Sequence, residues 1–372
     1  MPVAERPGVF ITGGAGFIGS RLAEELSARF EVTAFDNLLP QVHEENPGNL
    51  ARLERCGARF VKGDVRDARA LTEALCATRP AIVFHLAAET GTGQSHEMPS
   101  RYCETNVQGT AHLIEAVRAV GGVTRIALAS SRAVYGEGAC VDAEGRQALA
   151  RPRTRQDMEA GRYAPHDAEG RPLKPVPTAA ATCPTAPASI YASTKLMQEH
   201  LLSQAFWGTR TRVGILRLQN VYGAGQSVQN PYTGVLSIFC RQILEGRRLE
   251  IYEDGAITRD FVHVDDVVRA FSALVQVTQV PDAVLDIGSG EGLTIETAAR
   301  RLLAQLGGAP DGLDITGSFR PGDVRHAVAD IEVARSALGW EPKVSTETGL
   351  SELSQWARTT TRGAPAAMAL PE

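Results

Sequence analysis

Residues 8–19, GVFITGGAGFIG, run a short β-rich apolar segment straight into glycines at 13, 16 and 19, with a helical pattern starting at Phe17. No other stretch narrows the possible folds as much. Glycines at this spacing let the chain turn sharply out of a strand and bring its backbone against a ligand, with no Cβ in the way. The helix that follows offers unsatisfied N–H groups and the positive end of its dipole, a seat for a pyrophosphate. A glycine-rich turn alone could equally be a flexible connector, so its surroundings decide.

From Gly8 to about Ser131, the runs GVFIT, EVTAF, ARFVKG, AIVFHLA and RIALAS alternate with amphipathic stretches of helical length. That rhythm predicts βαβ units and an α/β fold built on a Rossmann-type, doubly wound parallel sheet. EVTAF ends at Asp36-Asn37, at the distance from the glycines where a carboxylate meets an adenosine ribose. Asp36 would bond the ribose hydroxyls and repel a 2′-phosphate, and Asn37, Leu38 and Leu39 supply no cation to hold one. NAD is therefore expected rather than NADP. GDVRD and HLAAET place Asp64, Ala87 and Ala88 at carboxyl ends of strands, where such a sheet binds its ligand.

At 372 residues the chain exceeds one ordinary domain. We expect an NAD-binding domain over 8–220 and, with interleaved boundaries, a smaller mixed α/β substrate lobe over 221–358. The tail 359–372 is expected to be disordered. Within the first part, residues 137–188 hold seven prolines and little apolar periodicity, which marks an insertion, either a lid on the site or a surface excursion. A net charge of -5 argues against a nucleic-acid binder. The N-terminal segment resembles neither a signal peptide nor a membrane span, so a cytoplasmic protein is expected. The six cysteines never form a CxxC pair, and no metal site is expected.

Tyr191 and Lys195 stand four residues apart in YASTK, on one face of a helix expected from Tyr191 to about Phe206. A cation beside a phenol favours phenolate, a base able to take a proton from a sugar hydroxyl. Tyr-xxx-Lys is common by chance, and the third element matters: RIALAS delivers Ser131 to the end of the fifth strand, at the same crevice. Asn106 falls in a helix after the fourth strand, where an Asn is as often a capping residue.

Together TGGAGFIGS, Asp36-Asn37, GDVRD, HLAA, SSRAVYG, YASTK, NVYGAGQS and RDFVHVDD resemble the extended short-chain dehydrogenase/reductase family, in the family's order from about Val9 to Trp356. Within its NAD-dependent nucleotide-sugar epimerase/dehydratase group, ETGTGQS, SSRAVYGEG and LQNVYGAGQSVQNPYTGVLSIF are most similar to dTDP-L-rhamnose 4-epimerase-like proteins. The resemblance implies a catalytic triad of Ser131, Tyr191 and Lys195. It implies NAD contacts from Gly13, Gly16, Phe17, Ile18, Gly19, Asp36, Asn37, Asp64, Val65, Leu86, Ala87, Ala88, Asn106 and Val221, with Tyr191 and Lys195. Substrate contacts carry over as Ser95, Arg132, Asn220, Arg259, Arg320 and Asp323, and the two arginines at 259 and 320 suit a diphosphate. A homodimer through the two long helices is also implied.

Sugar 4,6-dehydratases of this family place an acidic pair just after the strand-five hydroxyl; here Arg132 and Ala133 stand there, and neither can protonate and deprotonate a leaving hydroxyl. The expected activity is an NAD-dependent 4-epimerase acting through a 4-keto intermediate on a dTDP- or UDP-linked sugar. The same triad would serve a nucleotide-sugar dehydrogenase or 4-ketoreductase. A non-catalytic NAD-binding sensor is the alternative of another class, against which the intact triad argues.

Overall fold

A computed structural model describes residues 6–43, 48–227, 234–281, 283–320 and 322–361. Five strands come in the expected order: β1 (Gly8–Thr12), β2 (Glu31–Asp36), β3 (Arg59–Lys62), β4 (Ile82–His85) and β5 (Arg125–Ser131). With Arg212–Leu218 and Leu285–Ile287 they form a seven-stranded sheet, in the spatial order Leu285–Ile287, Arg212–Leu218, β5, β4, β1, β2, β3. Every neighbouring pair is parallel.

Helices cover both faces, which explains why the strands read as continuous apolar runs rather than alternating ones. Ile11, Leu22, Leu26, Phe84 and Phe271 pack on one side, and Phe10, Phe35, Leu71, Leu113 and Leu202 on the other. Phe84 and Phe271 meet edge to face with ring centroids 5.9 Å apart. Burying each such side chain stabilises the fold by about 1.5–3 kcal/mol. Strand order reverses between β1 and β4, which opens a crevice at their carboxyl ends.

The sheet is wider than the sequence predicts. Its outer strand, Leu285–Ile287, lies beyond the expected boundary at 220 and pairs with Leu216–Leu218. Helix Val264–Gln276 likewise returns to pack on helix α1 (Phe17–Ser27). A second core gathers Tyr222, Phe239, Ile251, Phe261, Leu302 and Leu353 under helices Val235–Leu244, Ile295–Leu306 and Thr346–Thr361. That last helix runs past the expected end at 358, because Leu350, Leu353 and Ala357 are fully buried and Arg358 donates to the Gln305 carbonyl at 3.0 Å. Residues 362–372 lie outside the described residues.

Between Glu137 and Ala188 the chain has its own three-stranded antiparallel sheet, from Ala139–Val141, Gln147–Leu149 and Lys174–Pro175. A short helix, Arg155–Glu159, starts at Thr154, whose hydroxyl and the Asp157 carboxylate cap each other's backbone N–H. Among the described residues no helix is long and apolar enough to cross a membrane.

Candidate active site

The crevice begins at the turn between β1 and α1. Gly13 adopts φ +70°, and a Cβ there would lie 2.7 Å from the Ala87 nitrogen on the neighbouring strand end. At Gly19 a Cβ would overlap the Gly13 carbonyl oxygen. The turn is thus closed on the helix by the absence of side chains. Gly16 caps α1 with no side-chain bond, leaving the N–H groups of the first helical turn, at Phe17 and Ile18, without a side-chain acceptor.

Asp36 ends β2 beside this turn, its carboxylate accepting the Ala15 N–H at 3.1 Å and the Leu38 N–H at 2.9 Å. It therefore caps a loop and faces the pocket at once. Asn37 donates to Asp64 at 2.9 Å, and Arg66 grips the same carboxylate at 3.0 and 2.7 Å. Burial alone would raise Asp64, but these bonds outweigh it and hold the carboxyl at about 2. Asp36, Asn37, Val65, Leu86, Ala87 and Ala88 line one pocket with Gly13 and Gly16; Asp64 borders the next cleft. Among the remaining walls, Val42, His43, Glu89 and Thr105 are not singled out by sequence reading.

Ser131, Tyr191 and Lys195 converge at the end of β5. Ser131 is its last residue and accepts the Ala133 N–H at 3.2 Å, which starts the 3-10 turn Arg132–Tyr135. Ser189 caps helix Ile190–Phe206 by accepting from Ala192 at 3.1 Å, so Tyr191 emerges from the first turn. Its ring packs edge to face on Tyr102, with centroids 6.3 Å apart. Burial raises the Tyr191 phenol above its ordinary value, while the Ser131 hydroxyl and the Arg132 guanidinium pull it down.

Lys195 does something other than face that phenol. Its ammonium donates to the Ala129 carbonyl and to Gln198 Oε1, both at 2.8 Å, and burial lowers its pKa to about 7 against the opposing field of Glu199. Gln198 in turn donates to Thr110 at 2.8 Å, and Thr110 to the Asn106 carbonyl at 2.6 Å. His85 is lodged between Thr12 and Thr110 at 2.8 Å each; burial, and then the charge of Lys195, depress it to about 3, so it stays neutral. Gln198 carries no signal of its own in the sequence apart from its spacing to Lys195, and His85 opens the HLAA motif without any sign of this role.

Asn106 lies in a single π-helical turn, Cys103–Gln108, a distortion that often accompanies functional sites. It donates to Thr194 at 2.9 Å and to the Glu89 carbonyl at 3.1 Å, which ties the helix carrying Tyr191 to the loop after β4.

Of the residues expected to contact substrate, Arg259 is buried and bonded to Asp323 at 2.5 Å. Arg132 is governed by burial and by the nearby Arg259, which together lower it to about 10, with Asp323, Glu137 and Tyr191 acting the other way. It makes no hydrogen bond or ion pair among the described residues. Arg320 is exposed and lies 4.8 Å over the Tyr252 ring. Asn220 and Val221 start the short strand Asn220–Tyr222, parallel to Thr258–His263. Ser95 is fully buried, its hydroxyl spent on the Thr92 carbonyl at 2.6 Å, so it offers no free donor. Among the described residues no three His, Cys, Asp or Glu side chains cluster as metal ligands.

The sequence matches the NAD dependent epimerase/dehydratase family over residues 9–158 and 163–288. It is 43% identical over 350 residues to a dTDP-L-rhamnose 4-epimerase of Burkholderia thailandensis, spanning 94% of both chains. The fold resembles UDP-glucose 4-epimerase of Thermotoga maritima with UDP-glucose, at a TM-score of 0.75 and 29% identity over 95% of this chain and 99% of that one. It also resembles the Thermus thermophilus UDP-glucose 4-epimerase complex with NAD, at 0.74 and 29% over 94% and 98%.

Proposed function

This chain belongs to the NAD-dependent epimerase/dehydratase family, and from that premise we propose that it is an NAD-dependent nucleotide-sugar 4-epimerase. One observation carries the choice of reaction: the turn after Ser131 carries Arg132, whose charge acts on Tyr191, followed by Ala133, so one proton can be moved at the reacting hydroxyl, but neither side chain is an acid able to expel a second hydroxyl as water.

NAD fits the crevice, since Gly13 and Gly19 leave a backbone cradle that any Cβ would fill. We assign the pyrophosphate to Gly13, Gly16, Phe17, Ile18 and Gly19, and the adenosine end to Asp36, Asn37, Asp64 and Val65. Leu86, Ala87, Ala88, Asn106 and Val221 border the nicotinamide end. Bound there, NAD supplies the acceptor of the C4 hydride and its donor back to the opposite face of the 4-keto sugar. Tyr191 takes the C4 hydroxyl proton and later returns it; Ser131 orients that hydroxyl, Arg132 supplies the positive charge that favours the phenolate, and Lys195 holds the nicotinamide ribose. Arg259, Arg320, Asp323 and Asn220 belong to the substrate side, where a dTDP or UDP group anchors a loosely held pyranose, whereas Ser95, fully buried and bonded to the Thr92 carbonyl, shapes the wall without donating to it.

The division into an NAD-binding part over 8–220 and a substrate lobe over 221–358 belongs to the same proposal, with 264–287 crossing back. So does a homodimer through the long helices, which is supported by Met197 at 45% and Trp207 at 87% exposure on and just past helix Ile190–Phe206. A cytoplasmic location rests on the six scattered cysteines, all unpaired. Purified protein is incubated with UDP- and dTDP-hexoses without added cofactor, and the product is read by NMR. Catalytic formation of the C4 epimer is expected. Stoichiometric release of reduced cofactor, or an absolute need for added NAD(P)H, would make it a dehydrogenase or reductase instead.

A further inference from the structure

The 137–188 insertion reaches the substrate side through one side chain. Arg153 is 6% exposed, and its guanidinium bridges three separate elements: Nε donates to Glu137 at 2.8 Å, Nη1 to Glu253 at 2.7 Å, and Nη2 to the Asp323 carbonyl at 2.8 Å. Each partner is fastened again. Glu137 accepts the Arg325 N–H at 2.9 Å, Glu253 accepts Arg325 Nη1 at 2.6 Å, and the Asp323 carboxylate accepts from Arg259.

We propose that Arg153 is a positioning residue that sets the Arg259–Asp323 pair for the nucleotide diphosphate, making the insertion a fixed wall of the substrate site rather than a mobile lid. This rests on the epimerase reading above. A planar fork with five donors can fix three acceptors in one plane, which a flexible ammonium cannot. By holding the backbone of Asp323, Arg153 fixes the carboxylate that turns the Arg259 guanidinium. The wall is stitched elsewhere too. Thr178 exchanges backbone bonds with Val328 and Asp330 at 2.8 and 2.9 Å, and Tyr163 donates to the Gly317 carbonyl at 3.3 Å. Both sides of the 317–330 segment are thus tied to the insertion. A mobile lid would not carry a buried arginine bonded to three separate elements.

The test uses full-length protein with its bound NAD, comparing wild type, Arg153→Met and Arg153→Lys. Calorimetric titration with UDP and dTDP gives Kd, epimerisation of the nucleotide sugar turned over fastest gives KM and kcat, and NAD content is measured alongside. Both variants are expected to raise KM and Kd about tenfold or more, while kcat stays within about threefold and NAD content is unchanged. Lysine keeps the charge between Glu137 and Glu253 but not the reach to Asp323, so its KM stays high even where it restores stability. If Arg153→Met does not fold, Arg153→Lys decides. Unchanged KM and Kd in the folded variants, or a fall in kcat alone, overturns the inference. Wild type that binds neither nucleotide and turns over no nucleotide sugar overturns the functional reading itself, and the inference with it.

Discussion

The Lys195 ammonium is bonded at 2.8 Å to the carboxamide oxygen of Gln198, one turn further along the same helix. Lys195 is 3% exposed, and burial lowers its pKa from 10.5 to about 7. Below pH 7 both folded and unfolded chains hold the proton, and the folded state bears the full cost of the buried charge. As pH rises from about 7 towards 10.5 only the unfolded chain keeps it, so this cost fades and wild type gains stability. Urea unfolding of Lys195→Met and wild type at pH 6 and pH 9.5 should therefore differ in ΔΔG by about 2–4 kcal/mol, shifting in favour of wild type at the higher pH. An identical ΔΔG at both values would mean that Lys195 titrates normally in the fold.

Arg132 is the charged side chain that acts on the Tyr191 phenol, together with the Ser131 hydroxyl and against burial. Removing it should raise the phenol's pKa. A base that must be deprotonated then loses activity at a higher pH. For Arg132→Met we expect the acid limb of the kcat/KM profile to move up by about one unit, with roughly tenfold less activity at pH 7. Arg132→Lys should recover part of the shift. A superimposable profile in a folded Met variant would show that the guanidinium acts only on substrate binding.

Tyr191→Phe keeps the ring against Tyr102 but removes the hydroxyl. Epimerisation should fall by at least about 10²–10⁴-fold, with melting temperature and NAD content close to wild type. Substantial residual turnover would move the base elsewhere.

Gly13→Ala forces a side chain into a φ of +70° and to 2.7 Å of the Ala87 nitrogen. Thermal unfolding should show a loss of about 1–3 kcal/mol, and the purified variant should retain little NAD. Stoichiometric NAD in a stable variant would place the pyrophosphate away from this turn.

What was legible in the sequence follows from how far each signal reaches along the chain. β1 to β5 announce themselves because strands covered on both faces favour apolar runs. Leu285–Ile287 has only three residues in a turn-rich stretch, too short to show a period, and its place is set by pairing with residues nearly seventy positions earlier. The turns around Gly13, Asp36 and Ser131 are local and could be read. The π-helical turn at Asn106 has no periodicity of its own, and nothing near Lys195 says that its ammonium points to Gln198. Arg153 reads as one more surface arginine among prolines; its partners lie 16, 100 and 170 residues away.

The outer strand Leu285–Ile287 also bears on how such a chain can be recombined. It closes the edge of the cofactor-binding sheet from far downstream, and the chain then leaves again for the other lobe. The two halves are therefore not interchangeable cassettes. A chimera joined at residue 220 would leave Arg212–Leu218 as a bare hydrogen-bonding edge unless the donor's own outer strand happened to fit it, and a bare edge invites aggregation. Grafting a new sugar preference onto this scaffold calls for replacing loops within the continuous chain, not for splicing lobes.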